Sequence, residues 1–411
     1  MQRYIIHTDF DGFCVAVERV CNPYLRDRPV VLGDVSRARS VVAAVSPESR
    51  RAGVYVAMPI DLARKRCPDL VVVDANFTLY GRVSQSVQKH LLRYSPRVEP
   101  ASWDATYLDL TGMQALFGAA VDTAARLRRE LKDSLRLDLA VGVASNKLVS
   151  HVASQITKPS GVSDVPPGDE ARFLAPLPVE HLPGVGATTQ KRLRDFNIQT
   201  IGELAETEPG FLLQAFGRRG CTLHEYAQGI DDSPVGVVPQ TPSRESLSRE
   251  VTLTHDSNDR NELGAALLGL VEGLGSQLRV SGRLARRVRV HVTYADGGES
   301  ERMMRLPQAT NLDCRLLPAA NAVLSCALTR RVTVRQIGVG LTELSTASSQ
   351  LQLFAQDSAS GRQRALMGAV DAIRSRYGGG AIRSGAGHDT GAGANVDCGD
   401  LNQQNPGDEK S

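Results

Sequence analysis

Residues 3–10 (RYIIHTDF) form a short run rich in isoleucine, which predicts a buried strand that delivers Asp9 at its C-terminal end. The segments RPVVLGDV, SVVAAV and LVVVDA are further β-branched runs, and FTLYGRVSQSVQKHLLRY has helical spacing. RVEPASW and ATYLDL then read as two strands, with Trp103 and Asp104 at or beside the bend between them. Leu, Ala and Val recur at three- and four-residue spacing over 113–133, predicting a helix, and LRLDLAVGVAS predicts another strand. Mixed strands and helices through residue 165 imply one α/β layer domain with a subdomain inserted near 20–75.

Residues 166–240 change character to short helical pieces punctuated by Pro and Gly. Over 241–345 the order becomes strand, helix (258–281), strand, strand, helix (313–328), strand, an independent α+β module. Beyond about 355 one helix is expected at RQRALMGAVDAIRSRYG, followed by a Gly-rich polar tail expected to lack structure.

With 411 residues and 42% hydrophobic content, the chain has material for roughly two to four domains. It contains no apolar run of about 18 residues or more and no signal-peptide pattern, so no membrane role and a cytoplasmic location are expected. The seven cysteines (Cys14, Cys21, Cys67, Cys221, Cys314, Cys326 and Cys398) form no CxxC pair, which argues against zinc and a disulfide framework. A net charge of +3 permits a nucleic-acid partner without demanding one.

Asp9 and Asp11 close an apolar strand, and Asp104 sits at a distant bend. Convergent carboxylates on strand ends suit Mg²⁺, a hard cation that takes oxygen ligands, although each Asp could equally cap a helix or close a turn. Further along, LPVEHLPGVGATTQKRLRDFNIQTIGEL (177–204) reads as a helix-hairpin-helix. Gly184 and Gly186 would let backbone approach phosphate, and Lys191, Arg192 and Arg194 flank the turn. Arg283, Arg286, Arg287 and Arg289 cluster about RRVRVHVTY and suit a duplex backbone, or simply a solvated face.

Four ordered words add specificity. HTDFDGFCVAVE (7–18), AGVYVAMP (52–59), SWDATYLDLTG (102–112) and GVASNKLVSHVASQITKPSG (142–161) resemble, in that order, the signature segments of the Y-family (lesion-bypass) DNA polymerases, nearest to the bacterial DNA polymerase IV type. SLSREVTL (246–253) resembles the opening of that family's little finger, and QLQLF (350–354) its sliding-clamp peptide. The resemblance implies an α+β multidomain right hand. Its ferredoxin-like palm would comprise 1–19 and 76–165, its small fingers 20–75, its helix-hairpin-helix thumb 166–240 and its separate α+β little finger 241–345. The clamp-binding peptide and tail would occupy 346–411.

Carried over residue by residue, the resemblance makes Asp9 and Asp104 the ligands of two Mg²⁺ ions, Mn²⁺ being an alternative, with the backbone carbonyl of Phe10 completing one site. Arg50 and Lys158 would grip the triphosphate, and Phe13 and Cys14 would lie at the nucleotide, Phe13 being expected more as core than as a replacement gate. Gln350, Leu351, Leu353 and Phe354 would enter the bacterial clamp. The implied activity is translesion synthesis by a monomer on primer-template DNA, from deoxynucleoside triphosphates, by two-metal nucleotidyl transfer.

Five departures bear on that expectation. Ala105 stands where the family has a metal-binding Glu, which predicts weakened turnover. Pro47 replaces a tyrosine that touches the triphosphate, and Cys14 replaces an aromatic that excludes a 2′-hydroxyl. His151 and Gln155 also replace the common Lys and Asp of the palm helix. The alternative is an inactive, polymerase-shaped adaptor that binds DNA and clamp.

Overall fold

The computed structural model describes residues 2–34, 39–236, 246–346, 358–378 and 381–382. The chain divides into two compact units at about residue 240, each described on its own.

The first unit is built on β1 (Ile5–Asp9), every residue of which is buried. A strand covered on both faces favours apolar residues, so its polar members His7, Thr8 and Asp9 require internal partners. Gly12 follows at φ 61°, a left-handed conformation that turns the chain into α1 (Phe13–Cys21). The excursion that comes next holds β2 (Val30–Leu32), β3 (Ala44–Val45), α2 (Pro47–Arg51), α3 (Ile60–Arg66) and β4 (Val71–Val73), with the strands in the order β3-β2-β4. The SVVAAV run contributes only its last two residues to β3, Val41 making an isolated bridge to Pro59 instead, and Ser46 then caps α2 by accepting the Ser49 N–H. Pro47 occupies the first turn of that helix, where its missing N–H costs nothing.

The chain then returns through α4 (Phe77–Leu91), β5 (Val98–Pro100), β6 (Ala105–Asp109), α5 (Gln114–Phe117), α6 (Ala120–Leu135), β7 (Ala140–Ala144), α7 (Lys147–Ile156) and β8 (Gly161–Asp164). The single helix expected over 113–133 is two helices, broken at Gly118 with φ 84°. The sheet order is β5-β6-β1-β7-β8, with β1 antiparallel to both β6 and β7. One core joins Ile6, Phe13, Tyr80, Leu91, Leu108 and Leu127. On α7, Val149 and Val152 pack instead with the helical segment that follows. This helix lies so close to β7 that a Cβ on Gly142 would sit 2.0 Å from the Ser150 carbonyl oxygen, which fixes glycine there.

Short helices α8 (Glu170–Leu174), α9 (Ala187–Asp195), α10 (Ile201–Glu206), α11 (Pro209–Phe216) and α12 (Arg218–Ala227) complete the unit around Leu182, Leu193, Ile201, Leu212 and Leu223. The start of α10 is held by a reciprocal pair of hydrogen bonds between Thr200 and Glu203.

The second unit contains β9 (Ser246–Ser257), α13 (Arg260–Val280), β10 (Arg283–Tyr294), β11 (Glu299–Thr310), α14 (Asp313–Ala327), β12 (Val334–Thr342), β13 (Ser345–Thr346) and α15 (Ser358–Tyr377). Its antiparallel sheet runs β11-β10-β12-β9, and the alternating Val288, Val290 and Val292 pack against Leu267, Leu274 and Leu316 of the helices. Arg279 binds two carboxylates, Asp313 at 2.7 Å and Asp371 at 2.6 Å, and so ties α13 to both α14 and α15. Among the described residues no helix is long and apolar enough to cross a membrane.

Candidate active site

The antiparallel register places Ala105 directly across from Asp9, so Asp104 arrives beside the end of β1. Phe10 N–H donates to the Asp104 carbonyl at 3.0 Å and locks that juxtaposition. Asp9 is only 4% exposed, and Ala105 is also buried. The Asp104 carboxylate is half-buried and accepts a short hydrogen bond from the Ser102 hydroxyl. Ser102 also accepts the Ala105 N–H at 3.1 Å, which fixes the bend.

Asp9 is held by two side chains. Lys158 Nζ lies 2.9 Å from Oδ1, and Gln155 Nε2 donates to Oδ2 at 2.6 Å. Burial, helped by the charge of Asp104, pushes the Asp9 carboxyl above its ordinary value, and Lys158 and Gln155 oppose that push. At the same edge Arg50, on α2, stands 3.5 Å from Asp11. Sequence reasoning did not assign Gln155 and Ser102 to the site. Gln155 stands out only as a departure in the palm helix, one helical turn before Lys158, and the signal for Ser102 is its place two residues before Asp104.

Cys14 is half-buried on α1, and its thiol is pushed up to about 12, first by burial and then by the negative charge of Asp104. It is therefore a small neutral group, not a thiolate. Phe13, beside Cys14, takes the core role rather than that of a gate at the sugar: its ring is 2% exposed and packs against Phe10 at 5.6 Å, because the first inward position of α1 belongs to the core.

Behind Asp9, the His7 Nδ1 and the Ser154 hydroxyl share a 2.7 Å hydrogen bond, and the His7 ring lies 4.8 Å from that of His151 and 4.5 Å from that of Tyr107. Burial first, then His151, Lys158 and Lys147, drives the His7 imidazole well below its usual value. Burial and Lys158 bring His151 down to about 4. Both rings are thus uncharged at neutral pH.

Among the described residues no three His, Cys, Asp or Glu side chains converge as a metal cluster. The donors brought together are the carboxylates of Asp9 and Asp104. All are oxygens, and this set fits a hard divalent cation with its remaining positions left to water or substrate.

The remaining candidates lie elsewhere. In the first unit Gly184 has φ 92°, Arg219 donates to its carbonyl, and Gly186 precedes α9, which exposes Lys191. Arg192 covers the Phe216 ring at 5.2 Å, and Arg194 reaches Glu180 at 3.5 Å. In the second unit Arg287 and Arg289 share the open face of the sheet, but each has an acidic neighbour: Glu343 at 2.6 Å and Glu301 at 3.7 Å. A bulge between Ala285 and Arg287 interrupts the alternation, Arg286 is exposed, and Arg283 begins β10. Gln350, Leu351, Leu353 and Phe354 lie outside the described residues.

Comparison with known proteins matches residues 8–155 to the impB/mucB/samB family and 244–353 to that family's C-terminal domain. Residues 180–231 match a thumb domain described for DNA polymerase iota. A DNA polymerase IV of Dehalococcoides mccartyi is 34% identical, covering 93% of this chain and 97% of its own. Another, of Desulfatibacillum aliphaticivorans, is also 34% identical over 94% of this chain and 97% of its own. Among solved structures, a Y-family DNA polymerase chimera superposes with a TM-score of 0.75 at 25% identity, over 84% of this chain and 99% of that one. The fold is therefore the α+β multidomain architecture of Y-family polymerases. The chain belongs to that family of DNA-directed DNA polymerases, in its DNA polymerase IV branch.

Proposed function

We propose that this chain carries out template-directed DNA synthesis across damaged DNA. The primer 3′-hydroxyl attacks the α-phosphate of a deoxynucleoside triphosphate, and pyrophosphate leaves. The observation that carries this reading is the pairing of Asp9 with Asp104 at the end of β1, with Lys158 2.9 Å from Asp9.

In this reading Asp9, Asp104 and the Phe10 carbonyl hold divalent ions, two in the family's mechanism, Mg²⁺ or Mn²⁺. Bound there, such ions activate the attacking hydroxyl and neutralise charge on the phosphates. Arg50 and Lys158 orient the triphosphate, and Cys14 lies beside the sugar. The assignments of 1–19 with 76–165 as palm, 20–75 as fingers, 166–240 as thumb and 241–345 as little finger belong to the same proposal. So do backbone contacts from Gly184, Gly186 and Lys191, duplex contacts from the β10 arginines, and insertion of Gln350, Leu351, Leu353 and Phe354 into a bacterial clamp. The protein would act as a monomer in the cytoplasm.

A second reading, a DNA- and clamp-binding adaptor without chemistry, is favoured by the buried methyl of Ala105 where a third ligand would stand. Extension of a primed template across an abasic site separates the two. The polymerase reading predicts product that Asp9→Ala abolishes; the adaptor reading predicts DNA binding with no product from either protein.

A further inference from the structure

Asp9 is engaged on both of its oxygens before any substrate arrives. Lys158 Nζ stands 2.9 Å from one and Gln155 Nε2 2.6 Å from the other, and the Asp9 side chain is only 5% exposed. A carboxylate this enclosed, beside a second carboxylate at Asp104, needs a nearby cation, and Lys158 supplies it. A lysine ammonium is equally suited to phosphate oxygens, but one point charge cannot fully serve both. Arg50 repeats the pattern more loosely with Asp11 at 3.5 Å, its side chain being 55% exposed.

We propose that Lys158 is an internal counter-ion for Asp9 that a triphosphate draws away, so that triphosphate and divalent cation bind cooperatively. The inference rests on the reading that this site meets both ligands. Once the ammonium moves to phosphate, Asp9 is left as a buried charge without its ion pair, held by the Gln155 hydrogen bond, and its demand for a cation rises. Linkage makes the effect reciprocal: a cation that takes over Asp9 frees Lys158 for phosphate. Gln155 is a positioning residue, since it holds Oδ2 and leaves Oδ1 as the atom that exchanges partners. Ala105 adds no third carboxylate, so a single ammonium suffices to quiet the resting pair.

Two binding measurements on the full chain test this without any reaction. In EDTA, affinity for a fluorescent deoxyguanosine triphosphate is compared between Asp9→Asn and Asp104→Asn. Both remove one negative charge, but only the first releases Lys158, so Asp9→Asn should bind about tenfold more tightly, within the range usual for linked sites. Without nucleotide, Mn²⁺ affinity is followed by loss of the free-ion paramagnetic resonance signal, and Lys158→Met should bind about tenfold more tightly than wild type. Gln155→Ala, which leaves the ammonium in place, should shift Mn²⁺ affinity less than Lys158→Met does. Equal nucleotide affinity in the two asparagine variants, or Mn²⁺ affinity unchanged or weakened in Lys158→Met, overturns the proposal. A protein that extends no primer yet shows both shifts loses the polymerase reading and keeps this one.

Discussion

Ala105 stands directly opposite Asp9 in the antiparallel register of β6 and β1, so the methyl group that replaces a carboxylate lies across from the best-buried acid of the site. The adjacent strand end still presents Asp104, tied to Phe10 through the backbone at 3.0 Å. In the proposed reading the strand ends that would aim the ligands are in place, and Ala105 offers no oxygen where a third would stand.

Cys14 sets the prediction for sugar choice. A half-buried neutral thiol on α1 fills less space than an aromatic ring, so ribonucleotides should be accepted in this reading. Cys14→Phe should raise the preference for deoxynucleotides by up to ~10², the usual limit for rejecting an added hydroxyl by shape. Competing dATP and ATP in single-nucleotide incorporation measures the ratio; no change would place Cys14 away from the sugar.

The neighbouring His151 predicts a pH dependence of stability. Burial and Lys158 depress its folded value to about 4, against 6.5 for the unconstrained group. Between those values the unfolded chain binds the proton and the folded chain does not, so stability is complete above about 6.5 and falls as pH drops toward 4. His151→Leu should flatten that fall by about 3 kcal/mol. It should not abolish it, because His7 is pushed in the same direction. Urea denaturation at a series of pH values would show it.

Arg279 predicts the stability of the second unit. Its guanidinium and the Asp313 side chain are each 12% exposed, and burial raises the Asp313 carboxyl even though Arg279 opposes it. Arg279→Met would leave Asp313 without its counter-charge and should cost about 3 kcal/mol. Asp371→Asn, which leaves the Arg279–Asp313 pair in place, should cost about 1 kcal/mol. Thermal unfolding of the full chain compares the two, and equal costs would refute the ranking.

What the sequence disclosed and what it hid have physical reasons. β1 was legible from its paired isoleucines and β7 from its apolar run, and Asp9 and Asp104 because they sit in words that recur as units. The contacts of Gln155 and Ser102 were hidden because they depend on where a helix end and a bend meet a distant strand. The core reading of Phe13 is borne out by packing: neighbouring residues on α1 point in different directions, so Phe13 turns inward while Cys14 stays half-exposed. On β10 the basic cluster was evident. Its neutralisation by Glu301 and Glu343 depended on strand register and on the bulge after Ala285.

The central claim is that an incomplete carboxylate site still supports DNA synthesis. Single-turnover primer extension in Mg²⁺ and in Mn²⁺, comparing wild type, Asp104→Ala and Ala105→Glu, tests it most directly. The account predicts that wild type extends measurably faster than Asp104→Ala, and that Ala105→Glu gains ~10²–10³ in rate from the restored ligand. Wild type no faster than Asp104→Ala in either metal would contradict it.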